Sequence, residues 1–165
     1  MPLQGLRRTD HIGLTVPDLE QAVTFFRELL GASELYRAGP FQADDDWMQK
    51  HLGVHPRAVI RQLAVVRLGT GPDLELFEYG APDQKRNAPA NSDIGAAHLA
   101  FYVDDMGAAV RELRARGLTI LGEPMTMQEG PSSGLTWLYF LSPWGLQLEL
   151  VSAPGGLAYE LDKLS

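Results

Sequence analysis

Apolar and polar positions alternate along HIGLTV, residues 11–16. Ile12, Leu14 and Val16 fall on one side and His11, Gly13 and Thr15 on the other, the period of a half-buried strand. The period then changes. From Leu19 onward, Leu19, Ala22, Val23, Phe26, Leu29 and Leu30 make one stripe at helical spacing. Asp18 stands where an N-cap belongs, Gln21 three residues on fits a capping box, and Gly31 is placed to end the helix. Such a helix covers the Ile12/Leu14/Val16 face and leaves His11 on the uncovered side of its sheet.

The same pattern is written twice. DHIGLTVPDLEQAVTFFRELLG, from Asp10, returns as AAHLAFYVDDMGAAVRELRARG, from Ala96. Setting His11 on His98 pairs Val16 with Val103, Asp18 with Asp105, Ala22 with Ala109, Val23 with Val110 and Phe26 with Leu113. In the first half a short strand is expected near 33–37, a Gly/Pro/Asp-rich excursion follows with one helical turn at 46–52, and strands at 59–68 and 74–79 flank the turn GTGPD. In the second half come a short strand near 119–121, a loop EPMTMQEGPSSG, and a hairpin LTWLYFL–SPWG–LQLELV. Both halves thus read strand, helix, three strands, an α+β arrangement of two modules, 10–80 and 96–152. The stretch 81–95, rich in Pro, Asn and Gly without periodicity, reads as the linker. A repeated unit that keeps its histidine in place is the main organising feature. The tail SAPGGLAYELDKLS reads as a loosely attached terminus or a strap between copies.

Composition narrows the functional classes. The 165 residues suit one compact domain, or two small halves sharing a core, and are enough to bury one. A net charge of −7 and the lack of a Lys/Arg cluster exclude nucleic acid as a main partner. No run approaches a membrane span, and MPLQGLRRTD has no apolar stretch behind its arginines, so neither membrane nor secretion is expected. Cysteine is absent, which removes thiolate catalysis and thiolate ligands and fits a cytoplasmic address.

Chemistry then concentrates on His11, Glu75, His98 and Glu149. Each lies on an expected strand and points away from the apolar face; both glutamates sit in an L-E-L step. A lone strand histidine is usually a satisfied hydrogen-bonding residue, and a lone strand glutamate a solvated one. Recurrence at matching places in two modules changes that reading. If the halves pack with pseudo-twofold symmetry, two imidazoles and two carboxylates converge. Two nitrogen and two hard oxygen donors suit one divalent ion, Ni²⁺, Co²⁺, Zn²⁺, Fe²⁺ or Mn²⁺, with positions left for water or substrate.

DHIGLTVPDLEQAVTFFRELLG, GPDLELFEYGAP, AAHLAFYVDD and LSPWGLQLELV together resemble the vicinal-oxygen-chelate superfamily, which contains glyoxalase I, methylmalonyl-CoA epimerase, extradiol dioxygenases and bleomycin-binding proteins. The resemblance runs from about His11 to Val151. It implies one domain over 1–165, two βαβββ modules forming an open, cup-shaped mixed sheet around a metal. It also implies that the first-strand histidine and last-strand glutamate of each module are ligands: His11 and Glu75, His98 and Glu149. A glyoxalase-like lyase, isomerase or epimerase is the implied class. The ion would hold two adjacent substrate oxygens and stabilise an enediolate, with Glu75 or Glu149 as the base. A small-molecule substrate and a homodimer are the expected partners.

Two alternatives are a ring-cleaving extradiol dioxygenase and a non-catalytic, bleomycin-like sequestering protein. Tyr139, ten residues before Glu149, resembles the dioxygenases. They use two histidines and one carboxylate, however, and need a further histidine where this chain has Asp83 and Gln84. Glu75 fills the ligand position they leave open. Methylmalonyl-CoA epimerase typically carries Gln at that place, which favours the glyoxalase-like arrangement. A purely binding member would lack most of the four ligands.

His51 and His55 form an H-x₃-H pair, but Gly53 and Pro56 spoil a helix there, so 41–56 is expected to be a lid instead. Trp47, Trp137 and Tyr139 are candidates to line a pocket. Gly69-Thr70-Gly71 and GPSSG open no helix and are not phosphate cradles.

Overall fold

Helix α1 (Leu19–Leu30) forms where the apolar stripe lies, and both its ends are closed by the residues expected to close them. The Asp18 carboxylate accepts from the Gln21 backbone N–H at 2.8 Å. Gly31, at φ 71°, takes the left-handed conformation that glycine adopts without steric penalty. Its N–H reaches Arg27 O at 3.0 Å, and Ala32 N reaches Phe26 O at 3.1 Å, which satisfies carbonyls the helix end would otherwise orphan. One donor at the other end finds a distant partner. Leu19 N donates to the Glu78 carboxylate at 3.0 Å, across 59 positions of sequence.

The computed structural model describes residues 3–158. The chain divides into two compact units, 1–86 and 87–165, and the division falls inside the stretch 81–95. Among the described residues no helix is long and apolar enough to cross a membrane.

In the first unit β1 (His11–Thr15), β2 (Ser33–Ala38), β3 (Val59–Arg67) and β4 (Asp73–Gly80) form one sheet in the order β1-β4-β3-β2. β1 pairs parallel to β4, whereas β4 with β3 and β3 with β2 are antiparallel. A parallel pair needs a long crossover, and α1 begins it by packing against β3 and β4. Leu19, Ala22, Val23, Phe25 and Phe26 are buried there, with Leu74 and Leu76 of β4. Burial of this apolar stripe, more than helix propensity, holds α1 in place.

The excursion between β2 and β3 is packed, not loose. Helix α2 (Trp47–Leu52) follows Asp46 and stops at Gly53, at φ 66°, so His55 lies beyond it. Met48 is fully buried with Ala58 and Ile60, against Phe77 and Tyr79. A two-bond bridge ties Phe41 to Ile60, at 2.8 and 2.9 Å. The simple lid expected over 41–56 is therefore a segment anchored by one methionine to the sheet.

The second unit repeats the order: β5 (Leu99–Tyr102), α3 (Met106–Ala115), β6 (Ile120–Thr126), β7 (Thr136–Leu141) and β8 (Gln147–Ser152). Its sheet runs β5-β8-β7-β6, again with one parallel pair, β5 with β8. Asp105 caps α3 by accepting from Ala108 N at 2.8 Å, as Asp18 does in α1. β6 is longer than expected. It runs on into the stretch EPMTMQEGPSSG expected as a loop; β6 is an edge strand whose register shifts between Leu121 and Met125, and an edge with a bulge tolerates both Gly122 and Pro124. Residues 159–165, which include the end of the tail, lie outside the described residues.

Candidate metal and proton-transfer site

The two His–Glu pairs are built the same way. In the first unit the β1–β4 register sets His11 opposite Asp73 and Gly13 opposite Glu75. Alternation keeps His11 and Gly13 on one face, and Gly13 has no side chain to occupy the space between. The imidazole reaches diagonally across that space, bringing Nε2 to 3.3 Å from Glu75 Oε2. In the second unit Ala100 lies opposite Glu149, and His98, just before β5, reaches past it. His98 Nε2 is 3.1 Å from Glu149 Oε2. A small residue stands two positions after the histidine in both pairs.

The other ring nitrogen is held differently in each. His11 Nδ1 stands 3.1 Å from the Asp10 carboxylate, and His98 Nδ1 stands 3.2 Å from Asn91 Oδ1. The Asp10 hydrogen bond, followed by the charge of Glu75, raises His11 above the ordinary histidine value. The same bond lowers the Asp10 carboxyl.

Surroundings differ as well. Val65 lies opposite Glu75, whereas Tyr139 lies opposite Glu149. The Tyr139 ring meets His98 edge-on at 5.2 Å and Trp137 at 5.3 Å. Burial and then the charge of Glu149 push the Tyr139 phenol up, so it is a neutral hydroxyl at physiological pH. In the first unit Phe77 stacks on Tyr79, and burial and then Glu75 raise the Tyr79 phenol. Aromatic rings therefore line the side of each glutamate. Trp47 instead stacks on His51, at 4.5 Å, and meets Phe41. His55 Nδ1 accepts from Arg57 N at 3.0 Å, so His51 and His55 are engaged separately.

The structure brings His11 to Glu75 and His98 to Glu149. Among the described residues no group of three or more His, Asp or Glu that could hold a metal is gathered. The spacing within each pair does fit a shared ion. Two bonds of about 2.1 Å at about a right angle put their donor atoms about 3 Å apart. A nearby cleft of about 510 Å³, lined by Arg8, Asp10, Arg67 and Asp73, has both guanidiniums paired already: Arg8 with Asp10 at 3.5 Å, and Arg67 with Asp73 through two bonds of 2.8 Å.

Two site residues escaped the sequence reading. Asp10 could have been noticed as the chain neighbour of His11, although Ala97 stands at the matching place. Asn91 carried no signal, because it lies in an aperiodic stretch and reaches His98 only through the fold.

A family model described as the Glyoxalase/Bleomycin resistance protein/Dioxygenase superfamily matches residues 8–150. The chain is 47% identical over 159 residues to 2-epi-5-epi-valiolone epimerase from an Actinomyces species, covering 96% of this chain and 86% of that protein. It is 30% identical over 152 residues to the uncharacterized protein YaeR of Escherichia coli K12, covering 88% of this chain and 96% of that one. Among solved structures, a glyoxalase family protein from Bacillus cereus aligns with a TM-score of 0.69 at 22% identity, over 92% of this chain and 97% of that chain.

Proposed function

This chain belongs to the glyoxalase/bleomycin resistance protein/dioxygenase superfamily, and on that footing we propose that it is a divalent-metal-dependent epimerase of α-hydroxy ketones. The observation that carries the reading is the pair of alike His–Glu couples, at 3.3 and 3.1 Å, one in each repeated module. A relative named as an epimerase of a ketone, at 47% identity, supports the reaction class.

In this reading His11, Glu75, His98 and Glu149 together hold one ion. When bound, the ion supplies Lewis-acid stabilisation of negative charge on two adjacent substrate oxygens. The chain's own groups do the proton work. One carboxylate, Glu149 or Glu75, takes the proton from the carbon that bears the hydroxyl. The C–H electron pair moves towards the neighbouring carbonyl. Returning a proton to the opposite face of that carbon inverts it, and a second carboxylate from the other module suits that step. Tyr139, neutral and opposite Glu149, is a hydrogen-bond donor for a substrate oxygen. The aromatic rings beside each glutamate keep water away from the reacting carbon. A cytoplasmic homodimer is the proposed working form.

Metal analysis of protein purified without chelator or nickel resin, followed by anaerobic incubation with α-hydroxy ketones in D₂O, tests the reading. One ion per site and deuterium incorporated at the inverted carbon are expected. A metal-free protein that stays inactive when supplied with each of the five ions, or oxygen uptake with catechols in place of exchange, would overturn it. Mixing His11→Ala copies with His98→Ala copies tests whether one site draws on two chains, since only a shared site recovers metal.

A further inference from the structure

We infer that Asn91, from the aperiodic stretch before β5, is a positioning residue that sets both the His98 ring and the Tyr139 hydroxyl. The carboxamide oxygen of Asn91 lies 3.2 Å from His98 Nδ1. That oxygen is an acceptor, so Nδ1 carries the hydrogen, and a neutral imidazole then presents a bare Nε2. Nε2 is the atom that faces Glu149. Burial and the charge of Glu149 raise the Tyr139 phenol, and hydrogen bonding by the same Asn91 side chain lowers it. With its oxygen given to His98, its amide N–H₂ is what remains for Tyr139, and it donates to the phenol oxygen. The phenol hydrogen is then left free to donate on the face that Tyr139 shares with Glu149.

The two modules differ here in a way that gives the amide a purpose. His11 is backed by a carboxylate, Asp10, and has Val65 in the place that Tyr139 takes in the other module. A carboxylate has no hydrogen to donate, so Asp10 can accept from the His11 ring and pair with Arg8 but could not donate to a phenol oxygen. Beside His98 two groups need orienting: a ring N–H, which donates, and a phenol oxygen, which accepts. A carboxamide is the side chain that meets both demands at once. Its neutrality also leaves Glu149 without a second negative charge behind its histidine.

The part of this inference that concerns metal rests on the proposed four-donor site; the orientation of the two rings does not. The test uses full-length protein with ¹⁵N-labelled histidine, in Asn91→Ala and Asn91→Asp variants, with melting temperature as the check on folding. In metal-free protein the His98 Nδ1–H signal should be protected from exchange in the parent, lost in Asn91→Ala and restored in Asn91→Asp, whose carboxylate still accepts from Nδ1. Zinc affinity, measured by chelator competition, should fall about 10–100-fold in Asn91→Ala, the usual cost of losing a ligand's supporting hydrogen bond, and recover in Asn91→Asp. An Nδ1–H signal unchanged in Asn91→Ala, or not restored by Asp, overturns the inference. If the parent binds no zinc, the metal reading fails while the exchange comparison still decides the role of Asn91.

Discussion

Gly13 lies directly opposite Glu75 in the parallel register of β1 and β4, two positions after the His11 whose Nε2 stands 3.3 Å from the same glutamate. A Cβ built on Gly13 would meet only Phe77 Cε2, at the ordinary contact distance of 3.9 Å. Gly13→Ala should therefore fold normally and leave zinc affinity unchanged, since Ala100 already occupies the matching place beside Glu149. Gly13→Leu should fill the gap between imidazole and carboxylate and weaken zinc binding with little change in helicity. Equal zinc affinity in the two variants, read by competition, would count against the gap.

His98→Ala removes one of the four proposed donors from a strand edge where the imidazole is one-third exposed. The protein should remain folded by circular dichroism and lose stoichiometric metal. Full metal content in that variant would remove His98 from the donor set.

Glu75→Gln keeps the shape and a carbonyl donor while removing the basic oxygen. Metal binding should weaken modestly, and epimerisation should fall about 100-fold or more, the usual scale for a lost general base. If turnover is unchanged, Glu75 is not the base and the proton work falls to Glu149.

The Asp10–His11 bond has a definite pH signature. His11 is raised in the folded protein, so its contribution to stability is present below the unfolded value of about 6.5 and is lost as pH climbs through the raised folded value. Asp10 is lowered, so its contribution is present above about pH 3.9 and is lost as pH falls through the lowered folded value. In chelator, Asp10→Asn should lower the denaturation midpoint most between those limits, and the deficit should shrink towards pH 9 as His11 loses its charge. A deficit that is the same at pH 6 and pH 9 would show that this bond does not couple to folding.

Met48 is fully buried and holds α2 against Phe77 and Tyr79, on the side of β4 that carries Glu75. Met48→Ala should cost about 2–5 kcal/mol by chemical denaturation, the range for emptying a buried methionine site. Trp47 sits beside that anchor, 38% exposed. Its fluorescence, measured with Trp137 and Trp144 replaced by Phe, should respond to a bound substrate if the segment closes over the site.

Local chemistry made much of this protein readable in one dimension. The strand-to-helix change of period, the aspartate caps, the glycine stop of α1 and the facing of His11, Glu75, His98 and Glu149 all depend on residues within a few positions of one another. Backbone geometry ties such neighbours to fixed directions, so period and spacing carry the information. The repeat added a second copy of the same reading; alternation set the facing of each histidine and glutamate, and the parallel pairing of β1 with β4 and of β5 with β8 brought them together. Contacts between segments far apart in the chain had no such signature. Glu78 caps Leu19 across 59 positions, Met48 anchors a segment whose composition looked like loop, β6 runs through Gly122 and Pro124, and Asn91 reaches His98 and Tyr139 from a stretch without period. Each of these depends on which surfaces the folded sheet brings together and where its edge lies. Only tertiary packing decides that, because the free energy that selects the contact comes from burial and hydrogen bonding between segments that sequence order leaves unrelated.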